Sequence, residues 1–331
     1  MTDPAGSFDD LPAEERVARL QRLAERALER YDIPAPSLEP ITNDWNCVFR
    51  VDAADGTRLV VRVSLPERRS PDEVRGEMAW LASLAADGSV SVPVPMAARD
   101  GSLVVEEEAE GVSEARMVAV FSWIEGQQMT NVMTESNIET YGEVSARLHM
   151  HAAGFASPPG MKTWDSPYPF LEPEVLFDAE HRATLGGTGA AVFERARAAA
   201  GETIERLARV EAPRMIHADL HEDNAFVRQD GSIAVLDFDD CMLGWPVQDL
   251  GITVFTIAHL DDFEVLERAL RRGYERVAPW PERVPGEVRV FAADRCLMLS
   301  NYIVQDHDPA YLAEAEIWVR RWAARIDRLL A

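Results

Sequence analysis

Apolar positions recur every three to four residues between Leu11 and Tyr31, where Val17, Leu20, Ala24, Ala27, Leu28 and Tyr31 form one stripe. That spacing predicts an amphipathic helix with Asp10 as its N-cap and Pro12 near its first turn, ended by Pro34 and Pro36. From Leu38 to Ile124 the pattern changes to short strands. Cys47 to Asp52 and Leu59 to Ser64 flank an Asp55-Gly56 turn, and further strands are expected at Leu103 to Glu106 and Met117 to Trp123. One helix, Pro71 to Ala86, interrupts them. After Gly126 the helical period dominates, with helices expected at Ile138 to Ala153, Ala190 to Val210 and Val247 to Leu260, and more towards the C-terminus. Within that half lies a short hairpin, Ala225 to Arg228 and Ile233 to Leu236, with Asp230-Gly231 in its turn. The pattern therefore predicts an α+β protein in two parts, residues 1–125 built on an antiparallel sheet plus a helix and residues 126–331 mainly helical.

At 331 residues and 47% hydrophobic composition, the chain has ample material for more than one core. Its formal charge of -24 repels polyanions, so no nucleic-acid or anionic-membrane partner is expected. The acidity would suit a cationic small molecule, or would simply keep the surface soluble. Cys47, Cys241 and Cys296 lie far apart with no CxxC spacing, which removes a disulfide framework and a thiolate zinc site. Met1 to Asp10 is acidic and carries no apolar run, so no secretory leader is expected and a cytoplasmic location fits. Lys162 is the only lysine, leaving arginine to supply every other fixed cation.

Chemistry concentrates in His217-Ala218-Asp219-Leu220-His221-Glu222-Asp223-Asn224, followed by Leu236-Asp237-Phe238-Asp239. If the hairpin pairs Arg228 with Ile233, Asn224 faces Asp237. Their Cβ atoms would then stand roughly 4.5–5.5 Å apart, and an amide oxygen and a carboxylate could share one hard cation. Asp219, on the loop that enters the hairpin, is placed to orient an attacking hydroxyl and accept its proton. A second reading of the same stretch is zinc: His217 and His221 are four apart, as in H-E-x-x-H helices, but the second position is Ala218 and no helix is expected there.

The segment H-x-D-x-x-x-x-N followed by D-F-D resembles the catalytic and metal loops of the aminoglycoside phosphotransferase, choline kinase and type II homoserine kinase superfamily. Leu59 to Val63, Glu73 to Leu84, Phe121 to Gly126 and Tyr141 to His149 resemble that family's third strand, N-lobe helix, hinge and first C-lobe helix, in the same order. The resemblance implies a bilobal protein-kinase-like fold and transfer of the ATP γ-phosphate, with Mg2+, to a hydroxyl of a small molecule. It implies that Asp219 is the catalytic base, that Asn224 and Asp237 bind magnesium, and that Glu77 anchors Arg62, which stands where the family has lysine. The backbone around Ser122 and Ile124 would hold adenine, and Asp249 would brace the catalytic loop. Asn43 and Asn46 flank the phosphate-covering loop, which here lacks glycine; asparagine tolerates left-handed turns, and its amides can donate to phosphate. The acceptor would be aminoglycoside-, choline- or homoserine-like, and the enzyme a monomer or homodimer. Two alternatives share these residues: a Ser/Thr protein kinase of the bacterial stress-kinase type, and a pseudokinase that binds nucleotide without chemistry. The short stretch from Asp237 to Asp249 leaves little room for a long activation loop.

Overall fold

A computed structural model describes residues 8, 11–43, 46–65, 69–167, 174–179, 181–305 and 309–331, with side chains at 182–188, 309–313 and 316 excepted. Contacts divide the chain into two compact units, Met1–Glu125 with Ser157–Met161, and Gly126–Ala156 with Lys162–Ala331.

The first unit begins with helix α1 (Ala13–Leu28), preceded by Pro12; the Asp10 cap expected from the sequence lies outside the described residues. Five strands follow, β1 (Ser37–Asn43), β2 (Asn46–Asp52), β3 (Arg58–Ser64), β4 (Val105–Glu107) and β5 (Arg116–Ser122), in the antiparallel order β1-β2-β3-β5-β4. Along β2 the buried positions alternate, Cys47, Phe49 and Val51, so one face of the sheet is apolar. The stripe of α1 closes that face: Leu20, Leu23, Ala24, Ala27 and Leu28 join Val61, Val63, Val118 and Val120 in one core. Burying each of the leucine and valine side chains contributes about 1.5–3 kcal/mol, which is why propensity alone need not hold a strand here. Between β3 and β4 runs α2 (Pro71–Asp87), whose start is fixed by a capping box: Ser70 accepts from the Glu73 amide, and Glu73 accepts from the Ser70 amide. Gly88 ends it in the left-handed conformation that helix termini favour.

The second unit contains β6 (Gln127–Gln128), α3 (Glu135–Gly154), α4 (Arg182–Val210), β7 (Arg214–Ile216), β8 (Ala225–Val227), β9 (Ile233–Val235), β10 (Met242–Gly244), α5 (Pro246–Ile257), α6 (Phe263–Glu275), α7 (Glu287–Gln305) and α8 (Pro309–Leu329). Helices α3 and α6 approach closely because glycines meet at the crossing: a Cβ on Gly273 would stand 1.7 Å from the Glu139 carbonyl oxygen, and one on Gly142 would stand 2.1 Å from that of Leu270. Arg272 clamps the same crossing to Glu135 and Glu139, at 2.7 and 2.8 Å. The stretch after α3 is tied inward at Trp164. Trp164 is buried, its N–H donates to the Leu243 carbonyl at 2.7 Å, and its own carbonyl accepts from Gln248 at 3.0 Å.

The β8–β9 hairpin corrects the expected register by one residue. Val227, not Arg228, pairs with Ile233, and the Leu236 N–H donates to the Asn224 carbonyl at 2.8 Å, so Asn224 stands opposite Leu236 rather than Asp237. The cause lies in the turn. Gly231 takes φ +80°, and Ser232 is hydrogen-bonded back to Asp230, making a three-residue loop in place of the four-residue one that the Arg228–Ile233 pairing assumed.

Candidate active site

Strand β7 delivers the chain to His217, and Asp249, in the first turn of α5, takes hold of it there. The fully buried Asp249 carboxylate accepts the His217 N–H at 2.9 Å through one oxygen and the Ala218 N–H at 2.7 Å through the other. His149 adds a contact at 3.1 Å, its other ring nitrogen meeting the Tyr274 hydroxyl at 3.1 Å. A carboxylate in the first turn of a helix is favoured by the helix dipole, and two charge-assisted bonds to consecutive amides fix the loop's direction. Ala218 is thereby held at φ +63°, where a Cβ is strained. His217 is buried, which lowers its pKa and keeps it neutral. Its Nε2 meets the Leu236 carbonyl at 2.8 Å, and its Nδ1 accepts the Asp219 N–H at 3.3 Å.

Asp219 follows, and three side chains converge on its carboxylate. Oδ2 takes Asn224 Nδ2 at 3.0 Å and His221 Nε2 at 3.2 Å, while Oδ1 takes Arg295 from α7 at 2.6 Å. Burial pushes the Asp219 carboxyl up, but the Arg295 charge and the His221 hydrogen bond outweigh it and hold the group well below the usual carboxylate range. Burial pulls the His221 imidazole down, yet its hydrogen bond to Asp219 and that carboxylate's charge win, and its pKa is raised. The backbone beneath is pinned as well: Thr253 donates to the Leu220 carbonyl at 2.7 Å and Tyr141 to that of His221 at 3.3 Å.

Asn224 spends its amide N–H groups on Asp219, donating to the carbonyl and to Oδ2 at 3.0 Å each, which leaves its side-chain oxygen for another partner. Asp237 follows β9 in the left-handed conformation, φ 62° and ψ 65°. That turn breaks the strand's alternation, so the direction of the Asp237 side chain is not set by the pleat and the one-residue register shift does not by itself carry it to the other face. An amide oxygen and a carboxylate suit magnesium, which binds through one or two protein oxygens with substrate phosphates completing its shell. Among the described residues no group of three or more His, Cys, Asp or Glu is placed to hold a metal without such help. His217 and His221 do not converge: their nitrogens serve different backbone and carboxylate partners, and the zinc reading falls.

In the first unit Arg62 points from β3 to Glu77 on α2 in a two-pronged pair at 2.8 and 2.6 Å, with its guanidinium over the Phe121 ring at 5.3 Å. Glu77 also receives Arg69 at 2.6 Å. Arg69 was missed in the sequence because it sits in a charged run ahead of α2. Asn43 and Asn46 are the last residue of β1 and the first of β2, Asn43 paired with Cys47; Asp44 and Trp45 between them lie outside the described residues. The Ser122 N–H donates to the Val94 carbonyl at 2.9 Å and its hydroxyl accepts the Val94 N–H at 2.9 Å, so that N–H is committed to protein. Ile124 is buried at the end of the same segment. Arg295 also escaped sequence reasoning. The available signal was Asp294-Arg295, a charged pair inside the apolar run Val290 to Leu299.

A model of the phosphotransferase enzyme family matches residues 37–283. The chain is 28% identical over 242 residues to amicoumacin kinase of Bacillus subtilis (strain 168), covering 72% of this chain and 68% of that one. It is also 28% identical over 301 residues to stress response kinase A of Salmonella typhi, covering 88% and 86%. Among solved structures, a microcompartment-associated aminopropanol kinase matches with a TM-score of 0.76 at 24% identity, covering 94% of this chain and 97% of that one, and shows the same protein-kinase-like fold. Two relatives that are each 28% identical to this chain thus carry names that point to different roles, and similarity alone does not choose the acceptor.

Proposed function

The chain belongs to the phosphotransferase enzyme family and is a small-molecule kinase, and from that premise we propose that it transfers the γ-phosphate of ATP to a hydroxyl of a small metabolite or antibiotic. The observation that carries this reading is the Asp219 carboxylate, presented on a loop locked by Asp249 with Asn224 beside it. Asp219 orients the hydroxyl. Its depressed pKa makes it a weak base, which suits a loose transition state in which the proton leaves late and positioning does most of the work. Asn224 Oδ1 and the Asp237 carboxylate would hold magnesium, whose chemistry is to neutralise charge on the transferred phosphate. Arg62, oriented by Glu77, would contact the nucleotide phosphates, Asn43 and Asn46 would flank them, and adenine would be held by the backbone at Ile124.

The stretch from Asp237 to Asp249 is occupied by a helical turn at Phe238–Asp240, by β10 paired to β7, and by the start of α5. Such a built segment supports constitutive activity on a small acceptor over control by a phosphorylated activation loop. The test is ATP consumption with magnesium across aminoglycosides, amino alcohols, hydroxy acids, sugars and nucleosides. An acceptor-dependent turnover that drops by about 10³-fold in Asp219→Ala is expected; equal turnover by both proteins would sink the reading.

A further inference from the structure

Arg295 differs from the arginines that make two-pronged carboxylate pairs. Arg62 spends both terminal nitrogens on both oxygens of Glu77, and Arg289 grips Glu267 in the same two-pronged way at 2.7 and 2.5 Å. Arg295 gives one nitrogen to one oxygen of Asp219 at 2.6 Å and turns the other towards the Met298 sulfur at 3.8 Å, a weak acceptor. Its side chain is only 14% exposed, so a guanidinium with five donors has been carried largely out of water with most of them unspent on protein. Such a group is a binding element waiting for an acceptor.

The lone pairs of Asp219 say where that acceptor lies. Among the described residues, Oδ2 already receives Asn224 and His221, whereas Oδ1 receives Arg295 alone. A substrate hydroxyl on Asp219 must therefore use the remaining lone pair of Oδ1, beside the guanidinium. Hydrogen-bond lengths of about 2.7–2.9 Å on each side place the free N–H edge of Arg295 on the order of 3–5 Å from the hydroxyl oxygen. That span matches a group on the carbon bearing the hydroxyl or on the next one. The planar fork of a guanidinium fits a carboxylate. The same cation opposes an ammonium at that spot, against what the net charge of -24 would favour. Arg295 lies beyond residues 37–283, the span matched by the family model.

We propose that Arg295 is a specificity-determining residue that binds a carboxylate next to the reacting hydroxyl, making the acceptor a small hydroxy acid. This rests on the phosphotransferase reading of Asp219. The experiment uses acceptors matched except for the carboxylate: glycerate against ethylene glycol, and serine against ethanolamine. Turnover is measured in wild type, Arg295→Met and Arg295→Lys. Calorimetric binding of the same compounds is measured with Asp219→Asn and with Asp219→Asn/Arg295→Met. Wild type is expected to favour the carboxylate member by at least about tenfold in kcat/KM. Arg295→Met is expected to erase that preference mainly through KM, Arg295→Lys to restore part of it, and carboxylate binding to persist in Asp219→Asn but vanish in the double variant. Wild-type preference for the members lacking a carboxylate, or an equal loss on both members in Arg295→Met, would overturn the assignment and leave phosphotransfer standing. Arg295-dependent carboxylate binding without turnover of any acceptor would do the reverse.

Discussion

Each unit of this protein builds a carboxylate that is paired with arginine and held by further side chains, and the two clusters are finished differently. Glu77 receives both prongs of Arg62 and one of Arg69, and its side chain is 1% exposed. Asp219 receives Arg295, His221 and Asn224, and is 16% exposed with one oxygen incompletely used. The first arrangement is a closed clasp that fixes where α2 stands on β3. The second is an open one, in which the Arg295 charge and the His221 and Asn224 contacts hold the carboxylate ionised and in place while leaving room for a ligand atom. The lesson is that pairing with arginine does not by itself mark a carboxylate as structural; what separates Glu77 from Asp219 is whether the carboxylate oxygens are filled.

Breaking the closed clasp should give the largest effect. Glu77→Ala leaves two buried guanidiniums facing each other, and removing one partner of such a group costs about 3–5 kcal/mol, read as a lower denaturation midpoint together with a higher KM for ATP. Asp219→Asn should lower the midpoint less than Glu77→Ala does while abolishing turnover, because the asparagine oxygen can still accept from Arg295 but the group can no longer take a proton. Equal destabilisation by the two variants would erase the distinction drawn between them.

A third carboxylate sharpens the comparison by lacking a cation clasp. Asp294 is 1% exposed, and burial pushes its pKa up from 3.8 to about 7, with the neighbouring Trp164 indole and the Arg295 charge offsetting only part of the shift. The folded state therefore holds a proton that the unfolded chain releases. The stability this contributes is fully present below about pH 4 and is lost as pH rises towards 7. At about 1.4 kcal/mol per pKa unit, the whole swing has an upper bound near 4 kcal/mol. Asp294→Asn should flatten that slope: measured by denaturant unfolding, the variant gains on wild type by about 2–4 kcal/mol between pH 4 and pH 8. A slope unchanged by the substitution would mean that Asp294 stays charged throughout.

How much of this was legible in the sequence follows the range of the interactions. The helices, the strands and the antiparallel sheet were readable because periodicity reports a buried face, as with Cys47, Phe49 and Val51 on β2. Asp219, Asn224 and Asp237 stood out because their order within one short segment is itself the signal. The hairpin register was misjudged by one residue, since Asp230-Gly231 permits more than one loop length and only the left-handed Gly231 decides between them. The committed amide of Ser122 depended on Val94, and the approach of Arg295 to Asp219 spans 76 residues; no local pattern encodes either contact.

The smallest effect expected tests what holds the open clasp in place. Ala218 lies at φ +63° and donates its N–H to Asp249 at 2.7 Å. Its strain, about 1 kcal/mol for a residue with a Cβ, is sustained by that bond and by the neighbouring one from His217. Ala218→Gly removes the strain but gives the unfolded chain about 0.5–1 kcal/mol more conformational freedom, so stability should change by less than about 1 kcal/mol. If the Asp249 bonds are what aim Asp219, kcat should stay within about twofold of wild type, since glycine keeps the same N–H. A tenfold drop in kcat at unchanged stability would show instead that the Ala218 methyl, packed in the interior, sets the loop, and that the openness around Asp219 depends on packing more than on the brace beneath it.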